Sequence, residues 1–197
     1  DAIEEFQRVN ERYTYLTDQR DDVLKSKKEL EGIIADITEE MKTIFARQFS
    51  VINEAFQQTF TELFGGGKAT LELEEPEDIL NCGIEIRVQP PGKALKVLSL
   101  LSGGEKAFVA IALYFAILKV RPTPFCVMDE IEAALDDANV VRFARYMRQM
   151  ADKTQFIVIT HRRGTMTAAD RLYGITMQEK GVSTLVSVDL IEGELDK

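Results

Sequence analysis

The run Leu100-Leu101-Ser102-Gly103-Gly104-Glu105 is followed further along the chain by Phe125-Cys126-Val127-Met128-Asp129-Glu130. A serine and two glycines opening a helix offer a hydroxyl and backbone N–H groups to a phosphate. An apolar strand ending in Asp-Glu offers a magnesium ligand, Asp129, acting directly or through water, and a base, Glu130, able to take a proton from an attacking water. His161 follows the apolar run Phe156-Ile157-Val158-Ile159-Thr160, which delivers its imidazole to the edge of the same sheet, within reach of a terminal phosphate or the attacking water. Leu135-Asp136-Asp137 lies just past the acidic strand end. Each feature has a plainer use: a capped turn, a solvated strand end, a structural histidine. Taken together they read as half of an ATP site.

The other half is not found. Such a site needs a Gly-x-x-x-x-Gly-Lys-Ser/Thr loop, whose lysine reaches the phosphates and whose hydroxyl holds magnesium. Around Gly65-Gly66-Gly67-Lys68-Ala69-Thr70, Glu62 stands where the first glycine belongs and Ala69 where the hydroxyl belongs. The glycines there read as a turn that ends a helix. This chain by itself is therefore not expected to bind ATP well.

Residues 1 to about 64 must form the element before that turn: they hold no proline and one glycine, Gly32. Val9, Leu16, Val23, Leu30, Ile37 and Ile44 form a seven-residue repeat, with Phe6, Tyr13, Arg20, Lys27, Ile34 and Met41 three residues behind. This is the pattern of a coiled coil, with Arg20 and Lys27 interrupting the second seam. After Ile44 the phase slips, and Phe45, Phe49, Ile52, Phe56, Phe60 and Leu63 take a straighter helical spacing suited to a globular core. A coiled-coil arm over 1–44 and a lobe over 45–197 follow as the expected domains. A helix of that length runs roughly 95 Å at 1.5 Å per residue, too long for the lobe to cover, so a partner helix is expected. With no turn before Asp1, the sequence reads as cut from a longer helix.

Beyond the glycines, Ala69 to Leu73 and the alternating Ile84, Ile86 and Val88 predict a hairpin across the acidic turn Glu75-Pro76-Glu77-Asp78. From Ser102 the order is loop, helix (about 105–119), strand (125–128), helix (about 137–151), strand (156–160), short helix and two final strands (about 172–178 and 183–189). Strands alternating with helices predict an α/β fold with parallel pairing and ligands at the strands' carboxyl ends, where Asp129, Glu130 and His161 fall.

The 197 residues are 45% hydrophobic, enough for a real core. No run approaches the ~20 apolar residues of a membrane span, so a cytoplasmic protein is expected. Cys82 and Cys126 are too few for a disulfide framework. A net charge of −9 excludes a nucleic-acid footprint over the whole surface. Arg142, Arg145 and Arg148 on one helix face, with Arg162-Arg163, read as a solvated surface in preference to a local DNA contact.

At this point the chain resembles the carboxyl-terminal half of the head of bacterial SMC (structural maintenance of chromosomes) proteins. Leu101 to Glu105 is similar to the ABC-type signature, Asp129-Glu130 to the Walker B pair, Leu135-Asp136 to the D-loop and Thr160-His161 to the His switch. Ile131-Glu132 stands where Val-Asp is expected, a departure that touches nothing catalytic. The resemblance implies the carboxyl-terminal lobe of an ABC-type ATPase head with a long amino-terminal coiled-coil helix. It implies hydrolysis of ATP with Mg2+ between two dimerised heads, in a cytoplasmic, nucleoid-associated machine that organises DNA. In that frame Glu130 and His161 are catalytic, Asp129 holds the metal, and Ser102, Gly103, Gly104, Glu105 and Asp136 contact ATP. The implied partners are the amino-terminal half of the same head, which would supply the phosphate loop and the second coil helix, a second head, a kleisin subunit and DNA. The final strands would offer the kleisin an edge. The alternative is a related head of double-strand-break repair, though Pro-Thr would then be expected in place of Ile131-Glu132.

Overall fold

The computed structural model of the chain describes residues 1–190. Its elements are α1 (Ala2–Phe64), β1 (Lys68–Leu73), β2 (Ile84–Gln89), β3 (Lys96–Val97), α2 (Gly103–Val120), β4 (Phe125–Asp129), α3 (Asp137–Met150), β5 (Gln155–Ile159), α4 (Arg163–Met166), β6 (Arg171–Glu179) and β7 (Val182–Asp189). All but β3 were legible in the patterning.

The chain divides into two units. The first comprises Asp1–Gln48 with Glu77–Asn81, and along its helix the seam residues Val9, Val23, Leu30 and Ile37 are all exposed. The second comprises Phe49–Pro76 and the residues from Cys82 onward, and holds the apolar core and every candidate site residue.

α1 stops where the glycines permit it to stop. Gly65 takes a left-handed φ of 73°, and the Gly66 N–H donates to the Thr61 carbonyl at 2.9 Å, the wrap-around bond of a Schellman end. Before it stops, α1 covers the edge of β1. The Asn53 side chain accepts from the Leu71 N–H at 2.8 Å and donates to its carbonyl at 3.2 Å, and Gln57 accepts from the Ala69 N–H at 2.8 Å. Amide side chains thus satisfy a strand edge that would otherwise invite pairing.

The core forms where the aromatic run of α1 meets α2 and α3. Phe60 stacks on Phe64 with ring centres 4.1 Å apart, Phe64 lies 4.6 Å from Phe108, and Phe115 lies 5.2 Å from Tyr146. The Thr59 and Tyr146 hydroxyls, both buried, satisfy each other at 3.2 Å.

Among the described residues three small sheets result: β1-β2-β3, antiparallel; β4-β5, parallel; and β6-β7, antiparallel. The predicted parallel pairing therefore applies to β4 and β5, and the last two strands form a hairpin of their own. β4 buries Cys126 and Met128 on one face and exposes Phe125 and Val127 on the other, where Ile157 and Ile159 of β5 are exposed as well. Parallel sheets are normally covered on both faces. No helix among the described residues is long and apolar enough to cross a membrane.

Candidate functional site

β4 and β5 run in parallel with Asp129 opposite Ile159, so both strands deliver their next residues to the same edge. There the chain turns sharply. Glu130 has φ 47°, and its backbone is held from both sides: its N–H donates to the Ile159 carbonyl at 2.9 Å, and its carbonyl accepts the Ala133 N–H at 3.0 Å. A non-glycine residue in the left-handed region carries strain, of order 1 kcal/mol or more, that its surroundings must maintain. The conformation aims the carboxylate at His161, whose Nδ1 lies 3.3 Å from Glu130 Oε1, with both side chains exposed. Asp129 is exposed beside them and makes no ion pair among the described residues.

Ser102 caps α2. Its Oγ accepts the Glu105 N–H at 3.4 Å and donates to Glu105 Oε2 at 2.8 Å, while that same oxygen accepts the Ser102 N–H at 3.2 Å, a capping box. Lys93 approaches Glu105 Oε1 at 2.7 Å. The Lys93 ammonium, then the Ser102 hydroxyl and N–H, hold the Glu105 carboxyl down at about 2. The two glycines differ in their surroundings. A Cβ on Gly104 would sit 2.9 Å from the Ala134 carbonyl oxygen, whereas one on Gly103 would meet nothing within 4 Å. The signature turn thus packs against the loop that follows Glu130 and leaves Gly103 facing open space. No hydrogen bond joins Ser102 or Glu105 to Glu130 or His161 among the described residues.

Asp136 is occupied as the N-cap of α3, accepting from the Asn139 backbone N–H and side-chain amide at 2.9 Å each. Arg162 donates to the Leu135 carbonyl at 3.0 Å and to Asp137 at 2.9 Å, and Arg142 donates to the Phe64 carbonyl at 3.2 Å. Those two arginines brace loops and a helix end from the surface, Arg142 being exposed and Arg162 half-buried. The sequence reading missed Lys93, and it missed Glu132, which is fully buried against Thr160 and Thr165. A lysine in a Pro-Gly loop and a glutamate in a turn carry no spacing signal for such roles.

Asp129, an oxygen donor at an open strand end, suits magnesium, which keeps most of its waters and takes one or two carboxylates. No group of three or more metal-ligating side chains occurs among the described residues. The N-terminus of the 18-residue α2, with Gly103 leaving its approach clear, suits a phosphate.

The α/β body, with the Ser102 turn packed against the loop after an acidic strand end, is similar to solved structures of SMC heads. One, described as "Structural biochemistry of ATP-driven dimerization and DNA stimulated activation of SMC ATPases", is 44% identical, with a TM-score of 0.70 over 75% of this chain and 89% of that one. Another, an Smc head with an extended coiled coil bound to the C-terminal domain of ScpA, from Pyrococcus furiosus, is 42% identical, with a TM-score of 0.72 over 94% of this chain and 46% of that one. The model of the RecF/RecN/SMC N terminal domain matches residues 6–184, and the chain belongs to that family. Chromosome partition protein Smc of Bacillus subtilis (strain 168) is 57% identical over 191 residues, which is 97% of this chain and 16% of the relative. Its counterpart in Mycobacterium tuberculosis (strain ATCC 25618 / H37Rv) is 44% identical over 196 residues, 100% of this chain and 16% of the relative. The chain thus spans about a sixth of the length of these curated relatives.

One expectation is corrected by these matches. The sequence reading placed the chain in the carboxyl-terminal half of the head and made its function that of a carboxyl-terminal half completed by an amino-terminal one. The matching family model is that of the N terminal domain, which overturns that placement. The motifs behind it specify a chemistry and do not specify a position along a longer polypeptide.

Proposed function

We propose that the chain is part of an ATPase head that acts in chromosome partition, with residues 1–44 as a coiled-coil arm and residues from 45 onward as a head lobe; residues 191–197 of that lobe lie outside the described residues. Glu130 takes a proton from the attacking water, and His161 orients that water or the terminal phosphate. Ser102, Gly103, Gly104, Glu105 and Asp136 face the phosphates of a nucleotide held on a second head. Asp129 holds Mg2+, which when bound supplies charge neutralisation at the phosphates.

The observation that carries the reading is the Glu130 to His161 contact at the carboxyl edge of a parallel strand pair, with Glu130 held at φ 47°. Completion by another segment of the longer protein belongs to the proposal, for two reasons. The sequence has no lysine-bearing phosphate loop, and the apolar face of β4 and β5 formed by Phe125, Val127, Ile157 and Ile159 is uncovered.

A kleisin subunit is a proposed partner, because a similar structure is described as the "SmcHead bound to the C-winged helix domain of ScpA", and DNA is another, because a second is described under "DNA stimulated activation of SMC ATPases". For the kleisin the β6-β7 hairpin offers a strand edge. Setting is proposed likewise: the protein works in the cytoplasm at the nucleoid. ATP turnover by the full-length protein and by its Glu130→Gln variant tests the core of this reading. Equal rates for the two would overturn it.

A further inference from the structure

Among the described residues one acidic side chain is fully buried, that of Glu132. Its Oε1 accepts the Thr165 hydroxyl at 2.9 Å and also the Thr160 hydroxyl. Thr160 Oγ1 in turn accepts the backbone N–H of Arg162 at 2.9 Å. The two threonines bracket His161: Thr160, the first residue after β5, precedes it, and Thr165 lies in α4. α4 is itself seated closely on α3, since a Cβ on Gly164 would lie 3.0 Å from Val140 Cγ1. A single buried oxygen therefore ties the turn that carries Glu130 to both ends of the segment that carries its partner.

Burying a carboxylate is costly unless hydrogen bonds offset the cost, and here Oε2 has no partner among the described residues. An apolar side chain of similar volume would pack the turn with less loss of solvation. Packing alone does not account for a glutamate at this position, whereas an acceptor shared by Thr160 and Thr165 does.

We propose that Glu132 is a positioning residue, which through Thr160 and Thr165 sets the placement of His161 against Glu130. The inference rests on the ATPase reading for its consequence in turnover, but the placement itself can be measured separately.

The test uses the full-length protein with Glu132→Gln, Glu132→Ala, Thr160→Ser, Thr160→Val and His161→Ala, the last also combined with Thr160→Val. Amide hydrogen exchange over residues 159–167 reads the placement, and kcat and KM for ATP read its consequence. Glu132→Gln keeps the acceptor and Thr160→Ser keeps the hydroxyl, so both should exchange and turn over close to the parent protein. Glu132→Ala and Thr160→Val should speed exchange at Arg162 and lower kcat on the order of 10- to 100-fold, the cost of a misplaced catalytic group, while KM stays nearly constant. Adding Thr160→Val to His161→Ala should cost nothing further. Unchanged exchange in Thr160→Val, or kcat losses that multiply in the double variant, would overturn the proposal. So would Glu132→Gln proving as damaging as Glu132→Ala. If Glu132→Ala does not fold, the Thr160 pair decides. A normal rate in His161→Ala would sink the ATPase role of His161 instead, and exchange would then decide the placement on its own.

Discussion

The Ala134 carbonyl oxygen lies 2.9 Å from the point where a Cβ on Gly104 would stand, so the start of α2 and the loop after the acidic strand end are packed to the limit that glycine allows. Gly104→Ala should force them apart and cost about 1–3 kcal/mol, the usual penalty of overpacking. Gly103→Ala meets open space in a helical position and should be neutral or stabilising by about 0.4–1 kcal/mol. Urea unfolding of the two variants compares them directly, and equal stabilities would contradict the packing argument. If Gly103→Ala is stable yet loses ATP-dependent dimers, its glycine serves the approach of a ligand.

The cluster of Lys93, Glu105 and Ser102 predicts a pH dependence. Glu105 is lowered from 4.5 to about 2, first by Lys93. A depressed carboxylate stabilises the fold above its unfolded pKa, and that contribution is lost as pH falls through the folded value. The stability difference between the parent and Lys93→Met should therefore be full above pH 4.5 and shrink towards pH 2. Denaturant midpoints taken across that window check it. A difference independent of pH would mean that Lys93 acts through packing alone.

What the sequence disclosed depended on repetition. α1 was legible because apolar residues recur along sixty positions, and its end at Phe64 because glycine is the residue that turns left-handed there. β4 and β5 were legible as short apolar runs between turn residues, which also placed Asp129, Glu130 and His161 at one edge. Two-residue β3 has no period to detect, and its pairing through Arg87 and Val97 is a tertiary outcome. Glu132 looked like a mild departure because burial of a turn residue depends on Thr160 and Thr165 returning from distant chain. Asp136 was found as an acid near the site, but its capping of α3 shows only in three dimensions.

The seam of α1 gives a prediction that rests on the proposed arm. Leu30 is 60% exposed and Val23 66% exposed, far more than coiled-coil core positions allow. If a second helix covers them in the whole protein, Leu30→Lys places a charge in that seam and should cost at least about 1 kcal/mol. Lys25→Gln, on the outer face of the same helix, should cost nothing measurable. Thermal melting followed by circular dichroism distinguishes the two. Equal melting temperatures would mean that the seam is not covered.

On the proposed reading, with Glu130 as base and Ser102 facing a nucleotide on a second head, chemistry and assembly separate at these two residues. Glu130→Gln keeps the size of the side chain and its reach to His161 but removes its basicity, so the attacking water loses its proton acceptor while Asp129 is untouched. Turnover should fall by roughly 10²–10⁴-fold, the range for loss of a general base, and engaged head dimers should accumulate because nucleotide stays bound. Ser102→Arg acts on a different step. Ser102 is exposed at the N-terminus of α2, and a bulky side chain there blocks approach to a phosphate on the opposite head while leaving Asp129, Glu130 and His161 unaltered. Nucleotide binding should persist in this variant and dimers should not form. Light scattering of the full-length protein with and without ATP, alongside turnover, reads both steps. Normal dimerisation by Ser102→Arg would show that the signature turn does not act across an interface, even if Glu130→Gln behaves as expected.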